Sequence, residues 1–153
     1  MTSAVPRFPV HPIRGVRVLH QRQNCAPHFA EITVDFEPAA EGFTFEVAEE
    51  LMIEHDSCAY GDLQGLFAAA AAGMQEQLAQ PEHGLVIATH VVLRQARTQS
   101  FGSHELAFKI AGYLAAREAL ARALGRDHPL EPDGRLVHSP AAASEQGQDR
   151  AAT

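Results

Sequence analysis

The sequence has no tryptophan, only two cysteines and no long run of apolar residues. A membrane-spanning helix needs about 18 or more consecutive apolar residues, and no stretch of this length occurs. The first seven residues also lack the apolar core of a secretion signal. We therefore expect a cytoplasmic protein, in which Cys25 and Cys58 are free thiols.

Basic residues are absent from the whole stretch between Arg22 and Arg94, where twelve acidic residues lie. The chain has 12 Lys and Arg against 19 Asp and Glu, for a net charge of −7. This balance disfavours a generic nucleic-acid binder, because phosphate contacts need Lys and Arg. The segregation leaves two interpretations open: a local positive patch formed by the flanking arginines, or an acidic surface with scattered arginines.

Motifs that would indicate enzymatic chemistry are missing or incomplete. No GxxxxGK[ST] phosphate loop occurs, so we expect neither a bound nucleotide nor its magnesium ion. Cys25 lies close to His28, and His55 lies close to Asp56 and Cys58, but neither group supplies the four ligands of a structural zinc site. No thiol-enzyme signature surrounds either cysteine. We therefore expect no metal, no cofactor and no catalytic residues.

The hydrophobic pattern predicts four strands and two helices. Alternating polar and apolar residues indicate strands over residues 15–20, 29–36 and 43–47, with the last two as a hairpin. The β-branched run at residues 85–93 predicts a fourth, central strand. The predicted fold class is α+β, a two-layer sandwich with a four-stranded sheet and two helices on one face.

Both helices have predicted caps and apolar faces. The first begins after Asp62 and ends before Pro81 and Gly84, and the second runs from an N-capping Ser103 to Gly125. The predicted buried face of the second helix comprises Leu106, Ile110, Tyr113, Leu114, Leu120 and Leu124. We expect an N-terminal arm over residues 1–13, one domain over residues 14–125, and a flexible tail over residues 126–153, which is rich in Ala, Ser, Gln and Asp.

Three segments resemble domain IV of elongation factor G. Residues 73–78 (GMQEQL) are similar to Gly-Ile-Gln-Glu-Gln-Leu in its first helix, and residues 103–111 (SHELAFKIA) resemble Ser-Ser-Glu-Leu-Ala-Phe-Lys-Ile-Ala at the start of a later helix. Residues 28–38 (HFAEITVDFEP) resemble the strand after its first tip loop. The segments occur in the family's order, and the resemblance spans residues 14–125.

The resemblance implies a fold like that of the second domain of ribosomal protein S5, with a left-handed βαβ crossover. It also implies a non-enzymatic, translation-related module without GTPase activity that contacts ribosomal RNA or a ribosomal protein. The contact would involve two tip loops, residues 21–28 and 94–102. The candidate RNA- or ribosome-binding residues in these loops are Arg22, Gln23, Asn24, Arg94, Arg97, Thr98 and Gln99.

Two departures from the family concern these loops. Residues 21–27 lack the glycines of the family's first tip loop and contain Pro27, and Gln99 occupies the position that matches the family's tip histidine by spacing. Two other functions therefore stay open. One is a repurposed protein-interaction domain or homodimer, and the other is a small enzyme built on the same scaffold.

Overall fold

The computed structural model describes residues 5–23, 25–55, 63–99 and 102–125. The elements in chain order are β1 (Arg7–Phe8), β2 (Ile13–Arg22), β3 (His28–Pro38), β4 (Gly42–His55), α1 (Leu63–Leu78), a 3-10 turn (Pro81–His83), β5 (Val86–Thr98) and α2 (Glu105–Ala123). The predicted order of strands and helices is confirmed. The predicted cap Asp62, Asn24, Cys58 and the predicted tail at residues 126–153 lie outside the described residues.

The sheet is mixed, and its main strands lie in the order β2-β3-β5-β4. β3 pairs antiparallel with β2 and with β5, whereas β4 pairs parallel with β5. The short β1 pairs in parallel with the start of β5. The predicted two-layer α+β sandwich is confirmed, with β4, α1 and β5 forming its βαβ unit; the left-handed sense of that unit stays a prediction.

The hairpin predicted between residues 29–36 and 43–47 is wrong. β5 lies between β3 and β4, so these two strands do not pair, and the hairpin is instead formed by β2 and β3. Alternation identifies strands and their buried faces but carries no information on which strand is the neighbour. The fully buried Val91 and Leu93 of β5 favour its central position.

β5 is longer than predicted and includes most of the expected second tip loop. It continues to Thr98 because the outward-facing Gln95 and Arg97 alternate with the buried Ala96 and Thr98. The polar residues that suggested a loop are the exposed face of the strand. Residues 94–98 of the predicted second loop therefore belong to β5.

The core lies between the sheet and the two helices. α2 packs on β2 and β3, and α1 packs against α2. The buried face of α2 differs from the predicted one, since Leu106 is 55% exposed. Small residues dominate instead, because the helices lie too close together for larger side chains. The buried residues of α2 are Ala107, Phe108, Ala111, Gly112, Ala115, Ala116, Ala119, Leu120 and Ala121.

The predicted N-terminal arm contributes to this core. Phe8 is 1% exposed, and its ring meets that of Phe36 edge-on with centroids 5.9 Å apart. Burial of an aromatic ring of this size is a large apolar contribution to stability. Within the described residues, neither helix has the length and apolar character to cross a membrane.

Candidate functional site

The two predicted tip loops meet at one end of the sheet. The backbone N–H of Phe29 donates to the carbonyl of Gly102 at 2.8 Å, and the Ser103 hydroxyl donates to the carbonyl of Phe29 at 2.8 Å. Gly102 has φ +104°, and a Cβ there would lie 3.0 Å from the backbone of His28 and Phe29. We call this end of the sheet, where residues 27–29 contact residues 102–104 next to the exposed Gln23 and Gln99, the tip.

His104, rather than the predicted Ser103, caps α2 at the tip. Its Nδ1 accepts a hydrogen bond from the N–H of Ala107 at 3.2 Å, so Nδ1 carries no proton. Its Nε2 lies 3.1 Å from the carbonyl of Pro27 and donates to it. The neutral His104 ring thus accepts from a free N–H at the start of α2 and also links the helix to the loop between β2 and β3. Ser103 instead accepts from the N–H of Gln99 at 2.9 Å.

Three histidines and one arginine form a cluster on the helix side of the tip. Arg22 donates to Nε2 of His28 at 3.1 Å, because a guanidinium has no acceptor. The proton of neutral His28 therefore lies on Nδ1, which donates to Nε2 of His20 at 3.0 Å. The His28 ring also meets His104 edge-on, with centroids 4.7 Å apart.

This cluster favours uncharged imidazoles. Burial, followed by the nearby His28 and Arg22, lowers the pKa of His20 to about 4. Burial and then Arg22 also lower the pKa of His28. At neutral pH His20 and His28 are therefore uncharged, and Arg22 beside them carries a positive charge.

The opposite, helix-free face of the sheet carries a row of acidic residues on β3, each held by arginine. Glu31 lies between two arginines. The Nε of Arg17 and the Nη1 of Arg97 each donate to its carboxylate at 2.6 Å. The Glu31 side chain is 6% exposed, whereas those of Arg17 and Arg97 are 66% and 46% exposed. The guanidinium of Arg97 also lies over the Phe29 ring, 5.5 Å from its centroid.

The same pattern continues away from the tip. Arg94 donates to Asp35 at 2.8 Å, and this hydrogen bond raises the pKa of the guanidinium. Arg14 donates to Glu37 at 2.8 Å. Three carboxylates of β3 are thus paired with arginines of the two neighbouring strands, β2 and β5.

The structure brings only some of the predicted contact residues together. Arg22 faces the helix side, because it contacts His28, whereas Arg97 lies on the helix-free face over Phe29; successive residues of a strand point to opposite faces. Arg94 lies further along β5, on Asp35. Thr98 is 5% exposed and is therefore not available for a surface contact.

Gln23 and Gln99 are exposed at the loops themselves. Arg17 is not among the predicted contact residues, although it shares a carboxylate with Arg97. Arg17 donates to Glu31, the same carboxylate that Arg97 contacts, so the two guanidiniums lie together on the helix-free face. In the sheet register Arg17 stands opposite Thr33, which makes Glu31 its diagonal neighbour. The sequence shows an outward-facing arginine on β2 but not this register.

A groove of about 440 Å³ lies on the helix-free face, next to the Arg17–Glu31–Arg97 group. Next to the groove β4 has a bulge, in which residues 48–51 face the single residue Arg94 of β5. Across the floor of the groove Thr33 donates to the side-chain oxygen of Gln95 at 3.2 Å. The side-chain N–H of Gln95 lies 3.5 Å from the sulfur of Met52.

Within the described part of the chain, no group of three or more His, Cys, Asp or Glu side chains is arranged to hold a metal ion. Cys25 is a free, exposed thiol. The three tip histidines hydrogen-bond or stack edge-on with one another instead of converging on a common point.

Comparison with known proteins supports the fold alone. No protein-family model and no curated protein matches the chain. A crystal structure of a protein from Thermus thermophilus is similar, with a TM-score of 0.52 and 18% identity over 78% of this chain. The match covers 18% of the Thermus protein, so this chain corresponds to less than a fifth of that protein's length.

Proposed function

We propose that the protein is a non-enzymatic, translation-related binding module that inserts its tip into structured RNA of the small ribosomal subunit, in the cytoplasm and without GTPase activity. The observation that carries the proposal is the direct contact of residues 27–29 with residues 102–104. The resemblance to domain IV of elongation factor G assigns these two loops to a ribosome-facing tip.

The placement of arginines supports insertion rather than docking on a flat surface. Arg22 lies on the helix side of the tip, and Arg17 and Arg97 lie on the helix-free side. Guanidiniums on both faces suit a cleft that has phosphates on both walls. The exposed amides of Gln23 and Gln99, between the two faces, suit ribose hydroxyls and unstacked base edges.

Ion pairing reduces the positive field without removing it. One carboxylate, Glu31, serves two guanidiniums, and both arginines remain well exposed. Glu105, exposed in the first turn of α2, offsets part of the charge on the helix side. We therefore expect binding that is moderate in strength and sensitive to salt.

Cosedimentation with purified small ribosomal subunits tests the proposal. We expect the wild type to sediment with subunits at low salt. Arg22→Ala and Arg97→Ala should each weaken binding and lower the slope of log K against log salt by about one. Arg122→Ala is the matched control, because it removes an exposed arginine at the other end of α2. Absence of cosedimentation at low salt, or equal effects of all three variants, would contradict the proposal.

A substitution in the opposite direction strengthens this test. Glu31→Gln keeps the shape of the side chain but removes the charge that Arg17 and Arg97 share. If the two arginines contact phosphate, this variant binds small subunits more tightly than the wild type and with a steeper salt dependence. Unchanged or weaker binding by a variant whose circular dichroism matches the wild type would mean that these arginines serve only the fold.

Protein interaction or dimerisation is the second candidate function. Within the described residues, β4 has no partner strand on its outer edge, where Val47 and Met52 are 39% and 63% exposed. Such an edge can accept a strand from a different protein. Under this alternative, partners are captured from lysate equally well with and without RNase, and the Arg22 variant captures them like the wild type.

A further inference from the structure

We propose that the groove on the helix-free face binds one unstacked nucleotide of single-stranded RNA, with its phosphate at Arg17 and its base between Arg97 and Met52. The proposal rests on the RNA-binding function proposed above and assigns it a second contact, away from the loops. It concerns a residue of an RNA strand rather than a nucleoside triphosphate, for which the chain has no phosphate loop.

The tip side of the groove has the chemistry to bind a phosphodiester. Arg17 and Arg97 share the single carboxylate of Glu31, so this group of three side chains carries one net positive charge. Arg17 is two-thirds exposed even while it is paired. A guanidinium offers five N–H donors, more than one carboxylate oxygen occupies, so it can hold Glu31 and a phosphate oxygen together.

The walls of the groove suit a planar ring. The Arg97 guanidinium lies over the Phe29 ring, 5.5 Å from its centroid, and guanidinium planes stack on unpaired bases in RNA complexes. On the opposite side the Met52 side chain is 63% exposed. Its flexible thioether provides an apolar wall that adapts to the face of a base.

The floor of the groove has a donor that lacks a strong acceptor. Gln95 accepts from Thr33 through its oxygen, but its side-chain N–H contacts the sulfur of Met52 at 3.5 Å. A thioether is a weak acceptor. A carbonyl or ring nitrogen on the edge of a base is a better one and would draw this N–H into the groove.

The size of the groove agrees with this ligand. Its volume of about 440 Å³ is in the lower part of the range for small-molecule sites, which runs from about 300 to 1,000 Å³. That space admits one nucleotide but not a stacked pair.

Chemical-shift titration of the whole chain labelled with nitrogen-15 tests the site, with adenosine 5′-monophosphate and ribose 5-phosphate as probes. The two probes carry the same phosphate and differ in the base. We expect saturable shifts at Thr33, Ile53 and Gln95 with adenosine monophosphate, and at least fivefold weaker binding of ribose 5-phosphate. Equal affinities, shifts confined to other regions, or no saturation would overturn the proposal.

Two variants and a control assign the effect to the groove. Gln95→Leu removes the amide donor, and Met52→Ala removes an exposed wall, so Met52→Ala tests the groove even if the first variant folds poorly. Each should bring the affinity for adenosine monophosphate within about twofold of that for ribose 5-phosphate. Gln75→Leu, at an exposed position on α1, should behave like the wild type. A preference for the base that persists in Met52→Ala would contradict the site.

The groove and the proposed function fail separately. If small subunits bind in an Arg22-dependent way but adenosine monophosphate shows no advantage, the tip function stands and the groove proposal is wrong. If the base preference is present but subunits do not bind, the groove binds a nucleotide and the ribosomal assignment is wrong.

Discussion

At the scale of single residues, His28 connects most of the side-chain contacts on the helix side of the tip. It accepts from Arg22, donates to His20 and packs against His104. The two hydrogen bonds together require a neutral ring with its proton on Nδ1. A second proton on His28 would place an N–H against the Arg22 guanidinium, so the cluster is compatible with one protonation state.

His20 makes the stability of the fold depend on pH. Its pKa is lowered from 6.5 in the unfolded chain to about 4 in the fold. The folded state therefore favours the neutral ring, and its stabilisation is fully present above pH 6.5 and is lost as the pH falls toward 4. We expect His20→Asn to flatten the decrease in unfolding free energy over this range, measured by urea denaturation at several pH values.

The control for this measurement is His11→Asn, at an exposed histidine before β2. It should leave the pH dependence of the wild type unchanged. If His20→Asn and His11→Asn give the same curve, burial of His20 does not contribute to the acid sensitivity.

Sequence reasoning at this scale identified residue types better than their surroundings. Arg22, Gln23 and Gln99 lie at the tip as expected, because loop ends follow from turn residues and strand limits. Arg97 lies on the helix-free face because β5 continues past it to Thr98, and the sequence did not predict this extension. The pairing of Arg17 with Glu31 depends on the register of β2 against β3, which no local pattern encodes.

At the scale of elements, the two helices cross where each has a glycine. A Cβ on Gly112 would lie 1.9 Å from the carbonyl oxygen of Ala70, and one on Gly73 would lie 2.0 Å from that of Lys109. These distances are too short for any side chain. The crossing also explains why GMQEQL begins with glycine, a residue that otherwise weakens a helix.

Gly112→Ala should therefore destabilise the protein although alanine is the better helix former. We expect the unfolding free energy to fall by about 1–3 kcal/mol or more, as for other overpacked cores. Helix propensity alone predicts a gain of about 1 kcal/mol. Ala72→Gly, at an exposed site on α1, calibrates the propensity effect in the same urea denaturation series. A Gly112→Ala variant as stable as the wild type would contradict the close crossing.

The sequence predicted which segments form strands and helices, but it did not predict which strands pair with each other. Periodicity located all the main strands and both helices, because burial of one face imposes it. It missed the extension of β5 to Thr98, whose exposed face resembles a loop in composition. It also assigned β3 and β4 to one hairpin, since neighbours in sequence pair often but not always.

At the scale of the whole molecule, the two edges of the sheet differ in charge. β2 has three arginines and no acidic residue, whereas β4 has four glutamates and no Lys or Arg. Exposed glutamates beside Val47 and Met52 discourage strand addition from other copies of the chain. The acidic excess of the sequence therefore has a structural role apart from any binding function.

Removing this protection should promote self-association. We expect Glu49→Val combined with Glu50→Val to form dimers or larger species whose population rises with protein concentration, measured by sedimentation velocity. The matched control, Glu76→Val combined with Glu82→Val, makes the same change in charge and residue type at exposed positions away from β4. Equal self-association of the two double variants would show that net charge, and not the edge, controls the behaviour.

The central position of β5 also governs how the sheet can assemble during synthesis. β2 and β3 can form their hairpin as soon as residue 38 has emerged, but β4 pairs only with β5 in the described structure. It must wait unpaired until the chain has been made as far as residue 98. During synthesis β4 is therefore present before its partner β5. The sheet is completed late, when β4 and β5 pair across the long connection that contains α1.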